Sequence, residues 1–127
     1  MDNTRGAEVA RLDTAVRVEP SLVVLELSGQ VAYCTVPVLR AAFERARAVP
    51  GLRPVAVLIG AVEFLHPLGV GVLALEQLAA CEAGREFFVC GANASLAGMI
   101  ASLWVPVRLA RVADLDEARL LAGAVAP

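Results

Sequence analysis

The sequence has no lysine, only one histidine and few aromatic residues, and each shortage narrows what the chain can do. A P-loop needs a lysine to reach the nucleotide phosphates, so a P-loop nucleotide site is excluded. A metal site of the usual kind needs several histidine, cysteine or acidic ligands that converge, and a single histidine with scattered cysteines does not predict one. The net charge is −2, and the eleven basic residues, all arginine, form no cluster. The sequence therefore argues against nucleic-acid binding and predicts no metal or cofactor.

Long hydrophobic runs are also missing. Arginine, glutamate, glycine and proline interrupt every apolar stretch before it is long enough to cross a bilayer. The first residues lack the charged-then-apolar layout of a signal peptide. We therefore expect a cytoplasmic protein that does not act on a membrane.

The three cysteines, Cys34, Cys81 and Cys90, form no CxxC pair. The simplest interpretation is that they are small apolar residues of the core, because unpaired cysteine is commonly buried. An alternative hypothesis is a reversible redox pair between Cys34 and Cys90, both of which lie near the ends of predicted strands.

Apolar residues make up 58% of the 127 residues, enough for one domain with a single sizeable core. Short apolar runs alternate with stretches of helical spacing, and this order predicts an α/β domain with a mostly parallel sheet of four to five strands, an N-terminal hairpin and about four helices. We expect a disordered segment at 1–11, the domain at 12–122 and a loose tail at 123–127. The predicted strands are Thr14–Val18, Leu22–Leu27, Val55–Ile59, Glu86–Cys90 and Val107–Val112, and the predicted helices are Thr35–Val49, Leu68–Glu82, Ala94–Leu103 and Asp114–Ala122.

The stretch Val62–Leu73 follows the most apolar predicted strand and leads into a helix. Its two glycines, Gly69 and Gly71, predict a tight turn and a close approach of the helix N-terminus. The free N–H groups of such a helix end suit a phosphate or an acidic group. This chain instead places His66, Pro67 and Leu68 there, with no hydroxyl and no carboxylate. No nucleophile is paired with His66 in the sequence, so the residues alone indicate a binding module rather than an enzyme.

Several short strings, in order, resemble the STAS domain and, more narrowly, the bacterial anti-sigma factor antagonists. The strings are Leu25–Val31, Val55–Ile59, Val62–Leu73 and Asp114–Ala118, and the resemblance covers about residues 12–122. It implies a STAS-like fold and a role in transcription regulation through binding of an anti-sigma factor or a GHKL-type kinase-like protein. In that family the junction usually reads Asp-Ser-Ser-Gly-Leu-Gly. The second hydroxyl is phosphorylated by the cognate kinase, and the added negative charge breaks the complex.

The chain departs from this pattern at the hydroxyls. Gly69–Gly71 match the family's Gly-Leu-Gly, whereas His66 stands at the aspartate, Pro67 at the first serine and Leu68 at the phosphoacceptor. Ala32 stands where the family often has another aspartate. The resemblance implies that this set of residues forms the partner-binding surface: Ala32, Tyr33, His66, Pro67, Leu68, Gly69 and Val70.

Three interpretations of the chain follow. The first is an antagonist-like regulator that binds its partner constitutively, since Leu68 cannot accept phosphate. The second is a scaffold that binds another STAS protein or regulator, with control moved to redox chemistry at Cys34 and Cys90 or to expression. The third, from another class, is an enzyme or small-ligand carrier that uses His66 and an apolar pocket.

Overall fold

The computed structural model describes residues 9–102 and 111–125, which form one five-stranded sheet with four α-helices. The strands follow one another across the sheet in chain order. The first pair is antiparallel, and every later pair is parallel. The strands are β1 (Leu12–Val18), β2 (Val23–Val31), β3 (Val55–Leu65), β4 (Phe87–Cys90) and β5 (Arg111–Val112), and the helices are α1 (Val36–Arg47), α2 (Pro67–Glu82), α3 (Ala94–Ser102) and α4 (Leu115–Val125).

The predicted fold class is therefore confirmed: a mostly parallel sheet, an N-terminal hairpin and four helices. The sheet separates two apolar clusters. The larger cluster contains core residues of α1, α2 and α3 and includes Phe43, Val57 and Leu73. The smaller one lies under α4 and includes Phe88 and Cys90. The hairpin turn is tied to α4 by an ion pair between Glu19 and Arg119, whose closest N–O distance is 2.8 Å.

The strand β3 is six residues longer than its predicted end at Ile59, because it continues past Gly60 through Leu65. It carries two irregularities against β2. Residues Glu26 and Ser28 face Leu58 and Ala61, and Gly29 and Gln30 face Val62 and Phe64. In each case β3 has one extra residue, as in a β-bulge, and each extra residue changes which side chains face the core. What the sequence suggested as a junction loop at 62–65 is therefore strand.

The two glycines of the junction do not turn the chain, contrary to the prediction. Both lie inside α2, and neither is among the glycines with positive φ. Close packing is confirmed for Gly69 alone: a Cβ there would come within 2.5 Å of Val31 Cγ1, whereas a Cβ at Gly71 would meet none of the described residues within 4 Å.

The helices predicted to begin at Thr35 and Asp114 begin one residue later, at Val36 and Leu115. Thr35 does precede α1, but its hydroxyl serves the preceding 3-10 turn at Tyr33–Thr35, where Oγ1 accepts from Ala32 N–H at 2.8 Å. At α4, Asp114 Oδ1 accepts from Glu117 N–H at 2.9 Å, and Glu117 Oε1 accepts from Ala113 N–H at 2.7 Å, one residue earlier than a standard capping box.

Other predicted bounds differ only at the ends of elements. The helix α4 extends to Val125, beyond the predicted end of the domain at residue 122. Residues 1–8 of the predicted disordered segment 1–11 lie outside the described residues. So do the predicted end of the third helix at Leu103 and most of the predicted edge strand, 107–110. Among the residues that are described, no helix combines the length and apolar character that crossing a membrane requires.

Candidate protein-binding surface

The ends of β2 and β3 bring the two predicted parts of the site together. Val31 and Leu65 are paired at the carboxyl edge of the sheet, and His66 N–H donates to Val31 O at 2.7 Å. The turn that carries Tyr33 follows β2, and the start of α2 follows β3, so both lie at one edge. This is the edge at which open α/β sheets usually bind their ligands.

His66 is the N-cap of α2. Its Nδ1 accepts a hydrogen bond from Leu68 N–H at 3.0 Å, and its carbonyl oxygen accepts from Gly69 N–H at 2.8 Å. Pro67 occupies the first helical position, where its lack of an N–H costs nothing. The imidazole thus performs the capping role that serine, threonine, aspartate or asparagine usually perform. Because Nδ1 is the acceptor, the proton of a neutral His66 is on Nε2.

Two aromatic rings flank this cap. The ring centroid of His66 lies 6.1 Å from that of Tyr33 and 6.4 Å from that of Phe64, the second pair in an edge arrangement. Tyr33 is 71% exposed, Phe64 47% and Leu68 48%. We call the surface formed by Tyr33, Phe64, His66, Pro67 and Leu68 the junction surface. None of its side chains carries a permanent charge.

Phe64 is the member that the sequence did not predict. In an unbroken strand, side chains alternate between faces, so Phe64 would share the inward face of buried Val62. The irregularity between Val62 and Phe64 adds one residue to β3 and leaves Phe64 exposed. Beside Phe64, Gln30 Nε2 donates a hydrogen bond to Glu63 Oε1 at 3.3 Å, and these two polar side chains form a rim next to the junction surface.

The other predicted contact residues have different exposures. Ala32 is half-buried between β2 and the 3-10 turn, whereas Gly69 and Val70 are buried. Gly69 and Val70 therefore shape the junction surface from beneath rather than form part of it. Leu68 is exposed in the first turn of α2, which is the placement that the predicted partner site requires.

The two cysteines of the redox hypothesis have unlike surroundings. Cys34 is exposed in the 3-10 turn, and Cys90 is buried in the cluster under α4; both are free thiols. Burial, together with the nearby carboxylates of Asp114 and Glu117, raises the pKa of the Cys90 thiol to about 11. A thiol reacts as its thiolate, so this environment opposes a role for Cys90 in disulfide exchange. Within residues 9–102 and 111–125, no three potential metal-ligating side chains converge.

Comparison with known proteins gives matches in structure only. No model of a protein family and no curated protein sequence matches the chain. A STAS-domain anti-sigma-factor antagonist protein from Planctomyces limnophilus is 17% identical, with a TM-score of 0.71 over 86% of this chain and 96% of that one. RsbS from Moorella thermoacetica with a serine-to-glutamate substitution is 16% identical, with a TM-score of 0.69 over 87% and 97%. The anti-sigma factor antagonist SpoIIAA in its unphosphorylated form is 15% identical, with a TM-score of 0.64 over 90% and 100%. At these identities the likeness establishes the fold.

Proposed function

We propose that this chain, whose fold is that of the STAS domains, is an anti-sigma factor antagonist-like regulator of transcription in the bacterial cytoplasm. Its partner is an anti-sigma factor or another GHKL-type kinase-like protein, which it binds through the junction surface. The chain acts by binding and has no catalytic step. The observation that carries the proposal is the junction surface itself: exposed aromatic and aliphatic side chains around a capped helix start.

The composition of the junction surface supports a protein partner. Aromatic residues are enriched at the centres of protein interfaces, where they bury a large area at little cost in side-chain entropy. Tyr33 and Phe64 supply two such rings, and the contact of each with His66 limits its freedom before a partner arrives. The polar pair Gln30 and Glu63 lies beside them, as a polar rim does around an apolar centre.

The identity of residue 68 determines how the complex is controlled. In the antagonists that the chain resembles, a hydroxyl at this position takes up phosphate and the complex dissociates. Leu68 has no oxygen to modify, and as an uncharged side chain it corresponds to the binding-competent form. The proposed regulator is therefore not released by phosphorylation at residue 68, and its level or its partner's level sets the outcome.

The test is the affinity of purified chain for the kinase-like anti-sigma proteins of its host, measured by calorimetry. Leu68→Glu is expected to weaken the complex at least tenfold, because an unpaired charge buried at an interface costs about 2–5 kcal/mol and about 1.4 kcal/mol is tenfold in affinity. The matched control is Leu120→Glu, which puts the same charge on an exposed leucine of α4, on the opposite face of the sheet. An unchanged affinity of Leu68→Glu would show that the junction surface is not the binding face.

A second variant addresses the lost switch. Leu68→Ser restores a hydroxyl in the first turn of α2, and we expect it to bind the partner and to become phosphorylated in the presence of the kinase and ATP. The unmodified chain should take up no phosphate under the same conditions. Phosphate found by mass spectrometry on Thr35 or Ser95 of the unmodified chain would contradict the loss of phosphorylation control.

A further inference from the structure

The outer face of α2 is apolar from Leu68 to Ala79 and ends at the exposed Glu82. Leu68, Leu75 and Leu78 are 48%, 55% and 37% exposed, and Gly71 and Ala79 lie at helical spacing on the same face. The opposite face of the helix is buried in the main core. A row of exposed leucines along one helix face is characteristic of a surface that another apolar surface covers.

Gly71 has no contact within the described part of the chain that explains why this position is a glycine. Its backbone is helical without a positive φ, and a Cβ at this position would meet nothing within 4 Å. Glycine inside a helix costs about 0.8–1.0 kcal/mol relative to alanine. A glycine at this position is explained if the backbone or a side chain of another molecule packs closely against the helix here.

The two ends of α2 also lack the charged residues that usually offset a helix dipole. The helix has no acidic residue in its first turn and no basic residue in its last turn. Glu76 is paired with Arg47 of α1. Glu82 has no ion pair among the residues that the structure describes, and it lies at the negative end of the helix dipole, where a carboxylate is unfavourable.

We propose that the outer face of α2 binds the same face of a second copy of this chain, with the two helices antiparallel about Leu75. In this arrangement Leu75 meets Leu75 of the other copy, Gly71 faces Ala79, and Leu68 faces Glu82. Because Gly71 and Ala79 are small, the two helices can approach closely where these residues meet, and the leucines fill the space on either side. Each Glu82 lies beside the positive end of the opposite helix. A parallel pair would instead set the two Glu82 carboxylates against each other.

The dimer is expected to be weak. A helix of 16 residues is about 24 Å long, so the contact falls below the roughly 800 Å² per partner of a standard interface. The dimer should form in the micromolar range and dissociate on dilution. This inference goes beyond the proposed function and stands without it, because it rests on α2 alone. The two share only Leu68, so self-association and partner binding compete at the start of α2.

Sedimentation equilibrium of the full chain across the micromolar range tests the dimer. Leu75→Glu should be monomeric throughout, whereas Leu120→Glu, the same change at an exposed leucine of α4, should dimerise like the unmodified chain. Gly71→Leu should also be monomeric, since its side chain fills the space that the second helix needs, and its Cβ meets nothing within 4 Å in the described part of the chain. Circular dichroism spectra and melting curves of each variant confirm that folding is kept.

Cysteine crosslinking tests the orientation, in a Cys34→Ser and Cys81→Ser background. Leu75→Cys should crosslink with itself under mild oxidation. Gly71→Cys and Ala79→Cys should crosslink when mixed and not when alone. A crosslink between two copies of Gly71→Cys would overturn the antiparallel arrangement.

A chain that is monomeric at every concentration would overturn the dimer and leave the proposed function intact. If in addition Leu75→Glu weakened binding of the kinase-like partner, the outer face of α2 would belong to that interface instead.

Discussion

The two glycines of α2 provide a matched pair of substitutions with opposite expected effects. At Gly69 an added Cβ would lie 2.5 Å from Val31 Cγ1 and 3.1 Å from Leu65 Cδ1, and both of those side chains are almost completely buried. Overpacking of this kind costs about 1–3 kcal/mol, and the better helix propensity of alanine returns about 1 kcal/mol. We expect Gly69→Ala to lower the free energy of unfolding by up to about 2 kcal/mol.

At Gly71 only the helix propensity changes, because nothing lies within 4 Å of the added atom. Gly71→Ala should therefore raise the free energy of unfolding by up to about 1 kcal/mol, or about 4 °C in Tm for a chain of this size. The measurement is urea unfolding followed by far-ultraviolet circular dichroism, analysed as two-state at a concentration low enough to avoid self-association. If the two variants shifted the midpoint equally, or if Gly69→Ala were the more stable one, the packing described for the start of α2 would be refuted.

Three further predictions concern the cap, the thiols and the acid response. His66→Ala should cost about 1 kcal/mol of stability through loss of the α2 cap, and His66→Asn, which keeps an acceptor, should recover most of it; equal losses would show that Nδ1 does not cap the helix. Cys34 and Cys81 should react quickly with a thiol reagent at pH 8, and Cys90 only after unfolding; rapid labelling of all three would contradict the burial of Cys90 and its pKa of about 11. The ion pair with α4 holds the pKa of Glu19 below its ordinary value of 4.5, so the folded state gains stability above that pH and loses it as the pH falls further; Glu19→Gln should remove this part of the acid response, as pH-dependent unfolding curves would show.

The layered architecture could be predicted because its signals are local. Val55–Ile59 is apolar at consecutive positions, which is typical of a strand covered on both faces, and it does lie in the middle of the sheet. The hairpin follows from two strands joined by a short turn. The position of Leu68 at an exposed helix start followed from the resemblance, and the structure places it there.

Three features could not be predicted, because they depend on register, on packing and on the use of an unusual side chain as a helix cap. The exposure of Phe64 results from an extra residue in β3, and nothing in the local sequence distinguishes a bulged strand from a loop at this point. Gly69 and Gly71 were expected both to turn the chain and to allow a close approach of the helix; only the close approach is found, at Gly69, and it depends on the position of Val31 in the folded sheet. His66 could be located at the junction from the sequence, but not its use as a cap, because histidine is not a usual N-cap residue.

The order of the strands has a consequence for synthesis. Since each strand pairs with the strand before it in the chain, none has to be inserted between two that have already paired. A nascent chain leaving the ribosome can therefore build the sheet from one side, and each crossover helix covers the strand that has just been added. By the time Cys90 has emerged, four of the five strands and every residue of the junction surface have been made.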